Sequence, residues 1–199
     1  MRNLRIILIA GAVVLMLSPP TVRAQRVVVG EVKVSSAARP TDLIVYLADA
    51  PAAPKPVTSI TVVMDQRNQT FQPHVLVILK GTTVKFLNSD RVAHNVFSVS
   101  PTKAFDLGKI GPNQFGLMTF EKPGVVEVLC GFHSRMLGYI RVMEHPYFGV
   151  PDSQGRFTIK NVPPGPYQLR VWHESLGEVF KEINVTADGL GPVQLRFPK

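Results

Sequence analysis

The chain is poor in cysteine, since Cys130 is the single one among 199 residues. A lone cysteine cannot form an internal disulfide, whereas exported proteins usually carry paired cysteines or none. A free thiol in an oxidising compartment is prone to oxidation unless it is buried or bound to a metal. Two interpretations of Cys130 follow, an unimportant free thiol or a metal ligand.

The chain also lacks a long apolar run near its start. Residues 6–17 form an apolar run of 12 residues, whereas a helix that crosses a bilayer needs about 20. Arg2 and Arg5 precede this run, and small residues at positions 22 and 24 fit a cleavage site after Ala24. The pattern predicts a signal peptide over residues 1–24 and a periplasmic or secreted mature protein with no stable membrane insertion.

Positive charge is only mildly in excess. The formal net charge is +8, and removal of residues 1–24, which contain three arginines and no acidic residue, lowers it to +5. The basic residues are scattered rather than clustered with aromatic ones, which argues against binding to nucleic acid. Attraction to an acidic protein partner is the more modest inference.

Helical periodicity is missing between residues 57 and 143, where short β-type runs alternate with turn residues. Such a pattern predicts an all-β chain that folds as an antiparallel sandwich or barrel. The expected strands cover residues 26–34, 43–47, 59–64, 74–79, 82–87, 95–99, 116–121, 125–129, 137–143, 156–160, 167–172, 178–185 and 192–197.

A proline-rich segment, residues 51–56, marks a predicted linker because proline removes backbone donors and favours an extended chain. Residues 57–144 follow as one predicted β domain. The four expected strands of residues 146–199 make a thin core for so small a unit. We therefore predict that residues 25–50 and 146–199 form one smaller, discontinuous β-sandwich into which the other domain is inserted.

Three potential copper ligands follow one predicted strand at fixed spacing, in the motif Cys130-x-x-His133-x-x-Met136. His94 supplies a second imidazole from a distant segment. A thiolate and two imidazoles in a near-trigonal plane, with a weak axial thioether, suit copper that cycles between its two oxidation states. Taken singly, each residue has an ordinary structural explanation, but the combination predicts one type 1 copper ion.

Two neighbours of the expected ligands have candidate supporting roles. Gly131 allows the backbone to turn closely after Cys130. Asn95 is a candidate outer-shell residue, either through a backbone N–H to the Cys130 sulfur or through a side chain that ties the two ligand segments together. The alternative is that Asn95 simply begins a strand.

The residues around these ligands resemble the cupredoxins, which are small blue-copper electron carriers with a Greek-key β-sandwich. The similarity is carried by residues 86–90, by His94-Asn95-Val96 and by residues 128–136, within a region of about residues 58–143. The short ligand loop is similar to that of amicyanin rather than the longer loop of plastocyanin, although Phe132 replaces a proline often found there. The resemblance implies a metal site made of His94, Cys130, His133 and Met136.

The last part of the chain resembles a different family, the carboxypeptidase regulatory-like or transthyretin-like domains. Asp152-x-x-Gly155-x-Phe157 and the Asn-Val-Pro-Pro-Gly-x-Tyr-x-Leu of residues 161–169 carry this similarity, and residues 30–32 and 44–47 are similar to the opening strands. Such domains are usually non-catalytic. The two-part layout also resembles bacterial proteins labelled methylamine-utilisation proteins, a label that fixes no activity.

These features predict an exported type 1 copper protein that shuttles single electrons between redox partner proteins. Reduction of oxygen or nitrite requires further metal ligands, and the remaining His74, His145 and His173 form no His-x-His pair. No nucleophile-and-base pattern stands out either, so we expect no enzymatic activity. A periplasmic copper carrier or a copper-containing binding module remains the alternative.

Overall fold

The computed structural model describes residues 26–34, 38–51 and 61–197. The predicted signal peptide and the predicted linker beyond Pro51 lie outside these ranges. Within them the chain forms sixteen β-strands and one short 3-10 turn, Pro40–Asp42. The described part contains no helix with the length and apolar character of a membrane span. The all-β prediction is confirmed.

The strand bounds agree closely with the expected pattern. In chain order the strands are β1 (Val27–Lys33), β2 (Ile44–Ala48), β3 (Thr61–Arg67), β4 (Thr70–Gln72), β5 (Val75–Leu79), β6 (Thr82–Asn88), β7 (His94–Ser100), β8 (Lys103–Ile110), β9 (Phe115–Phe120), β10 (Gly124–Cys130), β11 (Leu137–Met143), β12 (Phe148–Gly149), β13 (Arg156–Lys160), β14 (Gly165–His173), β15 (Gly177–Val185) and β16 (Leu190–Arg196).

One sandwich contains Cys130 and is called the Cys130 sandwich below. Its two sheets have the strand orders β5-β11-β10-β7-β8 and β4-β3-β6-β9. Alternate residues of a strand point to opposite faces, and in β6 Val84 and Phe86 are fully buried while Thr83 and Lys85 are more exposed. Apolar side chains from both sheets therefore meet in one core. Burial of each large apolar side chain contributes roughly 1.5–3 kcal/mol.

A second sandwich, called the terminal sandwich, combines strands from near both ends of the chain. Its sheets have the orders β13-β1-β16 and β12-β2-β14-β15. Strand β1 pairs with β13 antiparallel and with β16 parallel, so the first described strand lies in the middle of its sheet. One apolar core joins the two sheets, and it draws on residues from both sides of the Cys130 sandwich in sequence. The domain boundaries that we predicted stay a prediction.

The two sandwiches meet along a third apolar cluster. Tyr46 of β2 and Met143 of β11 are buried there, with Tyr139 and Trp172 packed partly buried against them. The Arg141 guanidinium donates to the Tyr46 hydroxyl at 2.9 Å, and its central carbon lies 5.1 and 5.7 Å from the ring centroids of Tyr46 and Trp172. This arginine therefore stabilises the boundary by a hydrogen bond and by cation–π contacts.

Three strands, β4, β8 and β12, were absent from the sequence-based prediction. The clearest case is β8, in which Ile110 is the one buried residue. The strand lies at the edge of the five-stranded sheet, next to β7. Phe105 and Leu107 of β8 alternate with exposed Asp106 and pack partly buried against the core, but Gly108 and Lys109 end this short pattern before Ile110.

Candidate metal centre

The expected ligands come from one end of an antiparallel strand pair and the loop beside it. Cys130 is the last residue of β10 and His94 is the first residue of β7. Because Cys130 pairs with Val96 in register, the two ligand residues lie at the same end of the sheet. His133 and Met136 follow in the connection to β11, where the Met136 N–H donates to the His133 carbonyl at 3.0 Å.

Three donor atoms converge in a small triangle. The Nδ1 atoms of His94 and His133 are 3.1 Å apart, and the Cys130 Sγ lies 3.7 and 3.6 Å from them. A circle through three points at these separations has a radius of about 2.0 Å, close to metal–nitrogen bonds of about 2.0–2.1 Å and metal–sulfur bonds of about 2.3 Å. The three donor atoms therefore lie close to the spacing that one shared metal ion requires, although the sulfur would have to move outward slightly.

Three of the four expected ligands are buried. His94 is 0 % exposed, Cys130 6 % and Met136 1 %, whereas His133 is half-buried. Met136 belongs to the same core cluster as Cys130. Among the described residues, His94, Cys130 and His133 are the one group of three or more histidine, cysteine or acidic residues whose donor atoms converge. Two imidazoles, a thiolate and a nearby thioether form a donor set that fits copper.

Asp90, which the sequence reasoning missed, contacts the candidate ligand His94. Its Oδ2 lies 2.9 Å from Nε2 of His94, on the side of the ring opposite the triangle. Burial raises the pKa of the Asp90 carboxyl, but hydrogen bonds from the Gln69 amide, the His94 ring and the Asn68 amide outweigh it and hold the pKa below its usual value. An acidic residue four positions before a candidate histidine ligand was the available signal.

Asn95 joins the two ligand segments through its backbone rather than through its side chain. The Gly131 N–H donates to the Asn95 carbonyl at 3.1 Å, while the Asn95 side chain donates to Asp106 Oδ1 at 2.6 Å. A Cβ at position 131 would fall 2.4 Å from the Asn95 Oδ1, so glycine allows the ligand loop to approach Asn95 closely, while the expected role in turning the backbone stays a prediction.

The other three histidines lie apart from the triangle. His74 Nδ1 is 3.2 Å from the Leu137 carbonyl oxygen, and His145 Nδ1 accepts from the Tyr147 N–H at 3.4 Å. His173 Nδ1 accepts from the Ser175 N–H at 3.1 Å. These contacts are those expected of histidines with structural roles.

Comparison with solved structures finds similarity to cupredoxins. A substituted amicyanin in its reduced state is 26% identical, with 42% of this chain and 82% of that chain covered and a TM-score of 0.39. A purple cupredoxin from Nitrosopumilus maritimus is 27% identical, with 42% of this chain and 98% of that chain covered and a TM-score of 0.37. Both of these matches cover somewhat less than half of this chain.

The sequence analysis excluded enzymatic activity, and this exclusion was wrong. The chain is also similar to a copper-containing nitrite reductase from Thermus scotoductus, with 31% identity and a TM-score of 0.40. The match covers 50% of this chain and 25% of that chain, so a region similar to this protein forms part of a copper enzyme.

The family model that matches describes the polysaccharide lyase family 4, domain II, and it covers residues 144–190. This segment belongs to the terminal sandwich, and the match does not confirm the predicted similarity to transthyretin-like domains. No curated protein matches the chain.

Proposed function

We propose that this chain is an exported type 1 copper protein that shuttles single electrons between redox partner proteins. His94, Cys130, His133 and Met136 would hold the ion, with two imidazoles, a thiolate and a thioether as donor groups. The observation that supports the proposal best is the triangle of two Nδ1 atoms and one Sγ at 3.1–3.7 Å. Bound copper supplies the one-electron chemistry.

The chain's own contribution is to keep its donor atoms in place. His94 and Cys130 begin and end paired strands, and the Gly131–Asn95 backbone hydrogen bond ties the ligand loop to β7. Close-packed interiors resist displacement of their side chains. Such a frame favours a site whose geometry changes little between oxidation states.

Electron exchange also requires a ligand near the surface, and His133 is the half-buried member of the set. Its neighbour Phe132 is 55 % exposed, and Leu137 at the far end of the loop is half-buried. Exposed apolar residues beside a redox centre suit the small interfaces of transient redox complexes. We place the docking surface at Phe132 and Leu137, where Phe132 dominates because it is the more exposed.

The docking surface is tested with Phe132→Asp and a matched control, Phe180→Asp. Phe180 is 62 % exposed and lies on β15 of the terminal sandwich. The rate of electron self-exchange between oxidised and reduced protein should fall at least about tenfold in Phe132→Asp, because two like charges meet at the interface. The control should exchange at the parent rate, and both should keep the parent visible spectrum. Equal rates in all three proteins would place the exchange surface elsewhere.

Electron transfer and copper delivery differ in whether copper stays bound. The copper-loaded protein should keep its metal through repeated cycles of reduction and oxidation in the presence of a Cu(I) chelator. Release of most of the copper to the chelator within a few cycles would favour the carrier function instead.

Export rests on the sequence pattern of residues 1–24. The mature protein recovered from the periplasm or the medium should begin at Gln25. Recovery of the intact chain from the cytoplasm alone would remove export from the proposal.

A further inference from the structure

A carboxylate is fixed behind the buried histidine of the candidate metal centre. Three N–H groups converge on Asp90: the Asn68 amide lies 2.6 Å from Oδ1, and the Gln69 amide and His94 Nε2 each lie 2.9 Å from Oδ2. The Asp90 side chain is 12 % exposed and that of His94 0 %. The ring and the carboxylate therefore meet almost out of contact with water.

The tip of the β3–β4 hairpin supplies two of these donors. Asn68 and Gln69 have positive φ angles of 55° and 54°, a backbone conformation that is uncommon outside glycine, asparagine and aspartate. Their consecutive amides both point at Asp90. The turn thus forms a fixed anion-binding cradle for the carboxylate.

The Asp90 backbone is held as well. Its N–H donates to Oδ1 of Asn88 at 2.9 Å. The Asn88 side chain is itself buried and donates to the carbonyls of Val92 and Ile110, both at 2.9 Å. The carboxylate is therefore positioned by two segments independently of His94.

An ionised carboxylate only accepts hydrogen bonds. His94 must therefore present an N–H at Nε2, and in a neutral imidazole that leaves an unprotonated Nδ1. That Nδ1 faces the triangle, 3.1 Å from His133 Nδ1 and 3.7 Å from Cys130 Sγ. The proton is thus placed on the nitrogen that does not face the donor cluster.

We propose that Asp90 is a positioning residue of the metal centre: it selects the Nε2–H tautomer of His94 and places a fixed negative charge behind this ligand. The effect on copper rests on the proposed function, whereas the tautomer is a property of the metal-free protein. A carboxylate partner makes a ligating imidazole more basic. Asp90 therefore favours the more highly charged, oxidised ion.

The first test needs no metal. In the metal-free protein, labelled with ¹⁵N and kept alkaline enough to leave its imidazoles neutral, long-range ¹H–¹⁵N correlations identify the protonated nitrogen of each ring. We expect Nε2–H at His94, with its Nδ1 accepting from a His133 Nδ1–H. A folded protein with the proton on Nδ1 of His94 would overturn the proposal, whatever metal the site takes.

The second test compares Asp90→Asn with Asp106→Asn. Asp106 carries the same charge and accepts from Asn95 and Gly108, but it contacts no candidate ligand through a hydrogen bond of its own. Loss of an outer-shell partner typically weakens metal binding by about 10- to 100-fold. In Asp90→Asn the preference for oxidised over reduced copper should fall about tenfold, which raises a one-electron potential by about 59 mV.

The control should leave the potential much closer to that of the parent protein. Equal shifts in both variants would mean that Asp90 acts by general charge alone and would overturn its positioning role. If Asp90→Asn does not fold, the tautomer of the parent protein decides the question. The expected tautomer in a protein that gives no blue copper spectrum would uphold the role of Asp90 while rejecting the proposed function.

Discussion

Two regions of the molecule bring a pair of histidines together with a side chain that can carry a negative charge. In the first, the Nδ1 atoms of His94 and His133 lie 3.1 Å apart, and both lie within 3.7 Å of the Cys130 sulfur. In the second, His74 Nε2 and His173 Nδ1 lie 3.5 and 3.3 Å from the carboxylate of Glu174. By residue type alone both regions are plausible metal sites.

The difference lies in where the lone pairs point. His173 Nδ1 already accepts from the amides of Ser175 and Leu176 at 3.1 and 3.4 Å, so its lone pair is used. His74 donates from Nδ1 to the Leu137 carbonyl at 3.2 Å, so the second region offers one imidazole lone pair, at His74 Nε2, where the first region can offer two. In the first region Asp90 occupies Nε2 of His94 and leaves Nδ1 to face the cluster. Hydrogen bonds to the second nitrogen thus decide whether a histidine is available as a ligand.

Removal of the thiol should abolish the copper site of the first region. Cys130→Ser keeps the size of the side chain but replaces a soft ligand by a hydroxyl that binds copper weakly. We expect the intense thiolate-to-copper absorption to disappear, which is the largest effect predicted here. The measurement is the visible spectrum after addition of one equivalent of Cu(II). Persistence of the band at parent intensity would contradict the role of Cys130.

Thermal unfolding with and without copper tests the difference between the two regions. A ligand present at about 1,000 times its Kd stabilises the folded state by about 4.1 kcal/mol. Copper should therefore raise the unfolding temperature of the parent protein markedly. His133→Ala should lose most of this increase, while His74→Ala should keep it even though its baseline stability is lower. A loss of similar size in both variants would refute the distinction.

Acid should destabilise the chain through His145, the one histidine of the sequence that belongs to neither region. Burial lowers the pKa of His145 below its ordinary value of about 6.5, against weaker opposing contributions from nearby hydrogen bonds and charges. Its contribution is thus fully present above about pH 6.5 and is lost as the pH falls through the lowered folded-state pKa.

Unfolding by denaturant across this range, in the metal-free protein, measures the effect. His145→Gln should show a flatter dependence of the free energy of unfolding on pH than the parent protein. An unchanged slope would assign the acid sensitivity to other groups.

The smallest effect is expected at Glu174. Its contact with His74, at 3.5 Å, is too long for a strong hydrogen bond and is an ion pair only when His74 is protonated, and weak pairs contribute about 0–1 kcal/mol. Glu174→Gln should change the free energy of unfolding by less than about 1 kcal/mol and leave copper affinity unchanged. A tenfold change in copper affinity would show that the second region supports the metal centre.

Much of the fold was readable from the sequence because inward-facing apolar residues alternate along most strands. Strand β6 is the clear case, with Val84 and Phe86 buried. The edge strand β8 was not predicted because its apolar alternation, carried by Phe105 and Leu107, is short and Gly108 interrupts it. Pairing of the first strand with β13 and β16 is a long-range contact, which local pattern leaves undetermined.

The candidate site could be predicted from the sequence only in part, because some of its contacts join residues far apart in sequence. The motif from Cys130 to Met136 is local, and the structure brings His94 to Cys130 and His133 as predicted. Asp90 stands in a turn-like segment, Asn88-Ser89-Asp90, and such residues ordinarily face solvent. Its importance follows from the amides of Asn68 and Gln69, which lie about twenty residues away in sequence.

The central claim is that His94, Cys130 and His133 form a type 1 copper site with Met136. Stepwise addition of Cu(II) to the folded mature chain, followed by visible absorption and electron paramagnetic resonance, tests it most directly. We expect saturation at one equivalent, an intense thiolate-to-copper band and a blue-copper resonance signal. A folded protein that binds Cu(II) without that band, or does not bind it at all, would contradict the account.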